Sequence, residues 1–329
     1  METINWGIIG CGDVTEKKSG PGFQKAKHSR LVAVMRRNRD LAEDYARRHS
    51  VPAWYDSAEA LINDPEVDAV YIATPPSSHK EYTLLVAKAG KPVYVEKPMA
   101  LNYTECREMI SACEAARVPL FVAYYRRALP RFLKIKNLLD SGAIGTVQFI
   151  RTALYQPPHP RDRDPGNLPW RVKPEIAGGG HFVDLGSHTL DFLDFIIGPI
   201  QSVKGFASNL AGLYPAEDTV SCTFKFENGV HGTGIWSFNA FEKYDGTEIV
   251  GSEGSISFPT FDNAPVVLKL QGRDEKFEID HPEHIQQPLI QTIVDELNGT
   301  GTCPSTGKTA ARTTRVMEEI LGDYYRGRR

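Results

Sequence analysis

The chain has 329 residues, 41% of them hydrophobic and 24% charged, with a formal net charge of -3. That length exceeds what one hydrophobic core usually serves, so two domains are expected, and the ordinary composition argues against long disorder. The near-neutral charge excludes a general attraction to nucleic acid or anionic lipid, and five cysteines without a CxxC spacing exclude the patterns of a disulfide framework or a structural zinc site.

Met1-Glu2-Thr3 leads straight into an apolar run that Gly10 cuts, and no apolar run approaches the ~20 residues of a membrane helix. A cytoplasmic protein without membrane or nucleic-acid partners is expected. In chain order, short apolar runs at 5–9, 31–35, 69–73, 92–95 and 120–123 alternate with helical patterns at 41–48, 57–61, 79–89 and 103–115. Strands apolar throughout and separated by helices predict an α/β Rossmann domain, a doubly wound parallel sheet, over residues 1–122.

The pattern then changes. A helix is expected at 129–139, a Pro/Gly/Arg-rich loop at 156–174, and a helix at 181–197 after Gly178-Gly179-Gly180. Strand patterns at 203–208, 219–226, 230–237, 247–250, 255–258 and 266–270 follow, two of them joined by the hairpin signal Glu227-Asn228-Gly229, and helices at 285–298 and 306–325 come last. Residues 123–329 therefore read as a second, α+β domain with a largely antiparallel open sheet.

Gly10-Cys11-Gly12-Asp13-Val14-Thr15 follows the first strand. Gly10 suits a tight turn, Gly12 lets backbone approach a pyrophosphate, and the next helix offers its N–H groups to the anion. Thr15 stands where the usual fingerprint has a third glycine. The second strand ends in Arg36-Arg37, with no acid before Asp40. A carboxylate there would bind the ribose 2′-hydroxyl of NAD, whereas guanidinium groups pair with a 2′-phosphate, so NADP is favoured and NAD is the alternative. Two solvated arginines at a loop are the competing reading.

Thr74-Pro75 and His79 lie beyond the strand at 69–73, and Glu96-Lys97-Pro98 beyond the strand at 92–95. Ligands bind outside such carboxyl ends, so these residues are assigned to the cofactor site, with Lys97 placed to polarise a substrate oxygen. In Gly178–Asp191, Asp184 and His188 stand four apart, where a helix lets them couple, and an imidazole oriented by a carboxylate suits acid–base work. A structural histidine and a His181–Asp184–His188 metal site are the alternatives; no metal is expected. His284 and Gln286 open the penultimate helix, either near the site or as caps.

Taken in order, the Gly10/Gly12 turn, Ala73-Thr74-Pro75, Glu96-Lys97-Pro98, Gly142 with Gly145, Trp170-Arg171 and the stretch from Gly178 to Asp191 resemble the Gfo/Idh/MocA family, which includes glucose–fructose oxidoreductase and inositol dehydrogenase. The resemblance implies a NAD(P)-dependent oxidoreductase acting on a sugar, polyol or related carbonyl. It implies that Lys97, Asp184 and His188 act beside the nicotinamide, and that the second domain's sheet serves a homodimer or homotetramer. The Arg-Arg strand end and the Trp170-Arg171 pair are similar to NADP-using members such as 1,5-anhydrofructose reductase. Tyr125, where relatives often carry Asn or His, and His181, not a general feature, depart from the pattern and are assigned with Trp170 and Arg171 to the substrate. A regulatory sensor that binds NADP and a sugar without turnover, and a redox-assisted glycosidase, are the other functions such a chain could carry.

Overall fold

A computed structural model of the chain describes residues 2–326. The chain divides into two compact units: the first runs to Leu129 and takes back His281–Ala311, and the second comprises Pro130–Asp280 with the segment from Arg312. The expected cut at 122/123 thus differs from the observed one. The return of His281–Ala311 follows from Ser305 and Thr306, which pair with the last strand of the first unit's sheet.

In the first unit, β1 (Ile4–Ile9), β2 (Ser29–Met35), β3 (Ala53–Tyr55), β4 (Ala69–Ile72), β5 (Val93–Val95) and β6 (Leu120–Val122) form a six-stranded sheet in the order β3-β2-β1-β4-β5-β6. Every pairing in it is parallel. Ile8, Ile9, Val34, Val70, Ile72 and Val95 are buried, as strands covered by helices on both faces require. Strand order reverses between β1 and β4, which creates the crevice position at their carboxyl ends, where Ala73 N donates to Ile9 O at 2.9 Å. β3 is a three-residue addition that the sequence pattern did not show.

β6 would be a bare edge without the returning segment. Val122 N donates to Ser305 O at 3.1 Å, Ser305 Oγ donates to Val122 O at 2.7 Å, and Phe121 bridges Thr306. The helix Gln287–Leu297 buries Leu289, Ile290, Ile293 and Val294 in this unit.

In the second unit, β7 (Val147–Tyr155), β8 (Ile200–Ser208), β9 (Thr219–Phe226), β10 (His231–Ser237), β11 (Tyr244–Gly251), β12 (Gly254–Phe258), β13 (Val266–Leu270) and β14 (Arg273–Phe277) form an eight-stranded sheet. Its order is β14-β13-β12-β11-β7-β10-β9-β8, antiparallel except where β7 and β10 run parallel. β7 and β14 were not expected. One face packs on the helices Pro130–Asp140 and Ser187–Ile197, with Phe132, Phe192 and Phe258 in edge-to-face contact at 4.7–6.4 Å. The other face leaves Phe149, Phe206, Ile235 and Tyr244 exposed.

All five cysteines are free and buried. Burial pushes the Cys11 and Cys303 thiols up to about 11, and those of Cys113 and Cys222 up to about 12. Among the described residues no helix is long and apolar enough to cross a membrane.

A charged cluster ties the first helical stretch to the helix Arg39–Arg48. Glu16 takes Arg48 Nη2 on Oε1 at 2.7 Å and His49 Nε2 on Oε2 at 2.7 Å. The hydrogen bond from Arg48 chiefly holds the Glu16 carboxyl down at about 2, against an ordinary 4.5. The folded chain therefore binds this proton later than the unfolded chain. The contact contributes its full stability above pH 4.5 and loses it as pH falls from there through 2. Arg48→Met is expected to flatten the acid side of a Tm-against-pH curve between those values; an unchanged slope would contradict the assignment.

Candidate active site

The first unit carries a turn built for close approach. β1 ends at Ile9, and the amides of Gly10 and Cys11 both donate to Met35 O, at 2.8 and 3.2 Å. Gly10 turns the chain at φ +92°, and a Cβ there would lie 2.7 Å from Thr74 Cγ2. A Cβ on Gly12 would meet nothing nearer than Gly10 O at 3.9 Å, so the space beside that backbone is open. Thr15 does what a glycine could not: its buried hydroxyl donates to Gly12 O at 2.8 Å and closes the turn.

Asp13 is exposed, Val14 is half-buried, and Cys11 packs its side chain inward. Arg36 Nη1 reaches Cys11 O at 3.4 Å, which places this guanidinium against the turn, and Arg37 beside it is exposed. Asn38 caps the following helix through Leu41 N at 3.0 Å.

The loops after β4 and β5 are joined by one side chain. His79, fully buried, has Nε2 2.7 Å from Thr74 O, and Nδ1 3.0 Å from Pro98 O and 3.2 Å from Met99 O. It was assigned to the cofactor; the structure gives it the bracing of the loops that carry Thr74-Pro75 and Lys97. Burial lowers its pKa. Glu96, likewise expected at the cofactor, turns its carboxylate into the core. Oε1 accepts Tyr71 Oη at 2.5 Å and Gln286 Nε2 at 2.6 Å, while Oε2 accepts the Lys97 amide at 3.1 Å. Gln286 Oε1 in turn accepts Tyr94 Oη at 3.1 Å. Desolvation, with the nearby Glu96 charge, raises both phenols well above their usual range. Gln286 does stand at a helix N-cap, yet its side chain makes no capping bond there. His284 Nδ1 lies 3.1 Å from Lys17 O. Tyr125 is buried, with the Arg126 guanidinium 5.1 Å from its ring.

The second unit carries the acid–base candidates. The expected helix is a wide π turn over Phe182–Gly186 followed by an α-helix over Ser187–Ile197. Such turns recur at functional positions, and here the widening means that the four-residue spacing of Asp184 and His188 is no longer the α-helical one. A Cβ on Gly186 would lie 2.6 Å from the Phe182 ring, so glycine permits this packing. Asp184 Oδ2 takes Arg171 Nε at 3.2 Å, and the Arg171 guanidinium lies 4.5 Å over the Trp170 ring. His188 is buried with Phe261 edge-on at 5.8 Å. His181 pairs with Asp162, which sequence reasoning did not single out, at 2.8 Å. Among the described residues no three His, Cys, Asp or Glu side chains are grouped to hold a metal ion.

Residues 4–124 match the NAD-binding Rossmann fold of the Gfo/Idh/MocA oxidoreductase family, and residues 132–257 match that family's C-terminal domain. Oxidoreductase P35 of Formosa agariphila is 42% identical over 97% of this chain and 98% of its own length. The chain belongs to the Gfo/Idh/MocA family. As a member it is an oxidoreductase with a dinucleotide-binding domain. The 1,5-anhydro-D-fructose reductase of Ensifer adhaerens is 31% identical over 76% of this chain and 74% of its own length. In fold, the chain is similar to aldose-aldose oxidoreductase from Caulobacter crescentus, with TM-score 0.88, 23% identity, and 99% and 98% coverage of the two chains. It is also similar in fold to levoglucosan dehydrogenase, solved with NADH and levoglucosan, with TM-score 0.85, 24% identity, and 98% and 97% coverage.

A dinucleotide fits what the first unit presents. The open side of Gly12 suits a pyrophosphate, and the helical stretch from Asp13 offers it N–H groups.

Proposed function

We propose that this member of the family moves a hydride between NADP(H) and a carbon of a sugar or polyol bearing a hydroxyl or carbonyl. Lys97, Asp184 and His188 are the groups acting on that carbon. The observation that carries the reading is the anchorage of Lys97. A buried carboxylate, itself held by Tyr71 and Gln286, fixes the Lys97 backbone at the carboxyl end of β5. The names of the relatives support the substrate class, since they include a reductase of 1,5-anhydro-D-fructose and dehydrogenases of trans-1,2-dihydrobenzene-1,2-diol.

When bound, the dinucleotide supplies the hydride acceptor or donor. In oxidation His188 takes the proton of the substrate hydroxyl, Asp184 stabilises the imidazolium, and the Lys97 ammonium stabilises the negative charge developing on oxygen; reduction returns the same proton. Trp170, Arg171, Tyr125 and His181 bind the rest of the substrate. Gly10, Gly12 and the following turn hold the pyrophosphate, and Thr74-Pro75 lie beyond β4 at the same end of the sheet. The 2′-phosphate falls to Arg36 and Arg37: Arg36 already stands against the turn, and no carboxylate stands between Arg36 and Asp40 at the strand end to repel it.

The test is a panel of sugars, polyols and their carbonyl counterparts assayed with both cofactors, beside binding titrations. Turnover with at least one member and tighter NADP(H) than NAD(H) are expected. Tighter NAD(H) would overturn the cofactor assignment, and no turnover across the panel would overturn the reaction. A partner is also proposed: a second copy of the chain, meeting the open sheet face through Phe206, Ile235 and Phe149. Light scattering should report a dimer or tetramer that Ile235→Lys weakens; a wild-type monomer at micromolar concentration would refute this.

A further inference from the structure

A second carboxylate–imidazole couple stands in the second unit and moves no proton in the scheme above. Asp162 is 1% exposed, although Arg161, Arg163 and Asp164 around it face outward. The short turn Pro160–Arg163 explains the burial. Asp162 Oδ2 accepts His159 N at 3.2 Å, and His159 Nδ1 accepts Arg161 N at 3.1 Å, so the turn folds over its own carboxylate.

The same Oδ2 lies 2.8 Å from His181 Nε2. A carboxylate oxygen only accepts, so Nε2 carries the hydrogen, and the neutral ring keeps its lone pair on Nδ1. Among the described residues Nδ1 has no hydrogen-bond partner. The ring cannot readily turn away. Tyr214 meets it edge-on at 5.6 Å and Phe238 lies 5.2 Å off, while its backbone neighbour Gly180 donates to Glu217 Oε1 at 2.8 Å. Glu217 is pinned in turn by Tyr325 Oη at 2.6 Å. Beside the couple, Asp162 Oδ1 and the Tyr214 hydroxyl are buried without hydrogen-bond partners. Buried polar atoms left so cost stability, and native chains keep them where function requires.

We propose that Nδ1 of His181, oriented by Asp162, accepts a hydrogen bond from a substrate hydroxyl other than the one oxidised, so the protein selects compounds with at least two hydroxyls. The proposal rests on the hydride-transfer reading for its substrate class. His181 caps the π turn Phe182–Gly186 and His188 lies in the α-helix that follows it, so the proposal gives the two imidazoles different oxygens. The aromatic walls of Tyr214 and Phe238 suit the C–H surface of a sugar ring.

The test uses the full chain loaded with NADP, its histidines labelled with nitrogen-15, titrated with levoglucosan and 1,5-anhydro-D-glucitol, and with cyclohexanol as the one-hydroxyl control. The His181 Nδ1 resonance, assigned by its loss in His181→Phe or, if that variant folds poorly, His181→Gln, should shift saturably with the polyols and not with cyclohexanol. Polyol Kd should rise about tenfold in the variant, as expected for one hydrogen bond lost. Polyol binding that leaves this resonance unmoved, no binding at all, or an unchanged Kd in the variant overturns the proposal. A saturable His181 shift in a protein that transfers no hydride supports this site and counts against the hydride-transfer reading instead. Turnover with His181 unmoved does the reverse.

Discussion

Lys97→Met should lower kcat by about 10²–10⁴-fold, the range assigned to a positioned acid–base group, and leave the NADP(H) dissociation constant within a few-fold. Methionine keeps most of the side chain's length and apolar stem, so the β5 loop should survive. The backbone there is set by the Lys97 amide on Glu96 and by His79 on the carbonyls of Pro98 and Met99, none of which the substitution touches. What disappears is the ammonium. If its charge acts on the oxygen only as the C–H bond breaks, kcat and kcat/KM fall together. Steady-state kinetics beside a cofactor titration check this. Turnover within tenfold of wild type would remove Lys97 from the chemistry, and a large loss of cofactor affinity would make it a binding residue instead.

Gly10→Ala should weaken NADP(H) binding by more than tenfold and lower Tm, through two separate causes. A left-handed backbone with a Cβ costs about 1–2 kcal/mol before any contact is counted. At φ +92° the new methyl would also fall 2.7 Å from Thr74 Cγ2 and 3.1 Å from the Thr74 amide. Relief by moving Thr74 pulls on its carbonyl, which holds His79 and, through it, the loop bearing Lys97. Isothermal titration and thermal melts separate the effects; a variant with wild-type affinity would show that the turn does not carry the pyrophosphate. Gly12→Ala has open space around it and should be the milder of the two for folding.

Much of the first unit was legible because its strands are uniformly apolar and end in glycine, proline or charge. β3 escaped because only Ala53, Trp54 and Tyr55 form it, and all three are half-buried. β7 escaped for the opposite reason: it is long, but Thr152 lies inside while Phe149 is exposed, which blurs the alternation that marks a half-buried strand. With β7 missing, the parallel pairing to β10 could not be anticipated. For the proposed site, residue types in ordered motifs pointed to Lys97, Asp184 and His188. Their surroundings were invisible. Asp162 sits in an Arg-Asp-Arg-Asp run that reads as solvated, and Gln286 joins Glu96 across 190 residues. Nor does composition announce a π turn: Gly186 ends the one at 182–186 and Gly20 follows the one at 15–19, and a glycine alone does not mark a shifted hydrogen-bond register.

The return of His281–Ala311 to the first unit bears on how the protein is made. Domains usually acquire structure in the order they leave the ribosome. Here Gln286, Ser305 and Thr306, which satisfy Glu96 and cover β6, emerge only after the whole of the second sheet has been translated. Until then the nascent dinucleotide half carries an unpaired strand edge, which invites aggregation, and a carboxylate short of one donor. A protein truncated after Leu129 should keep that condition permanently, and so should aggregate.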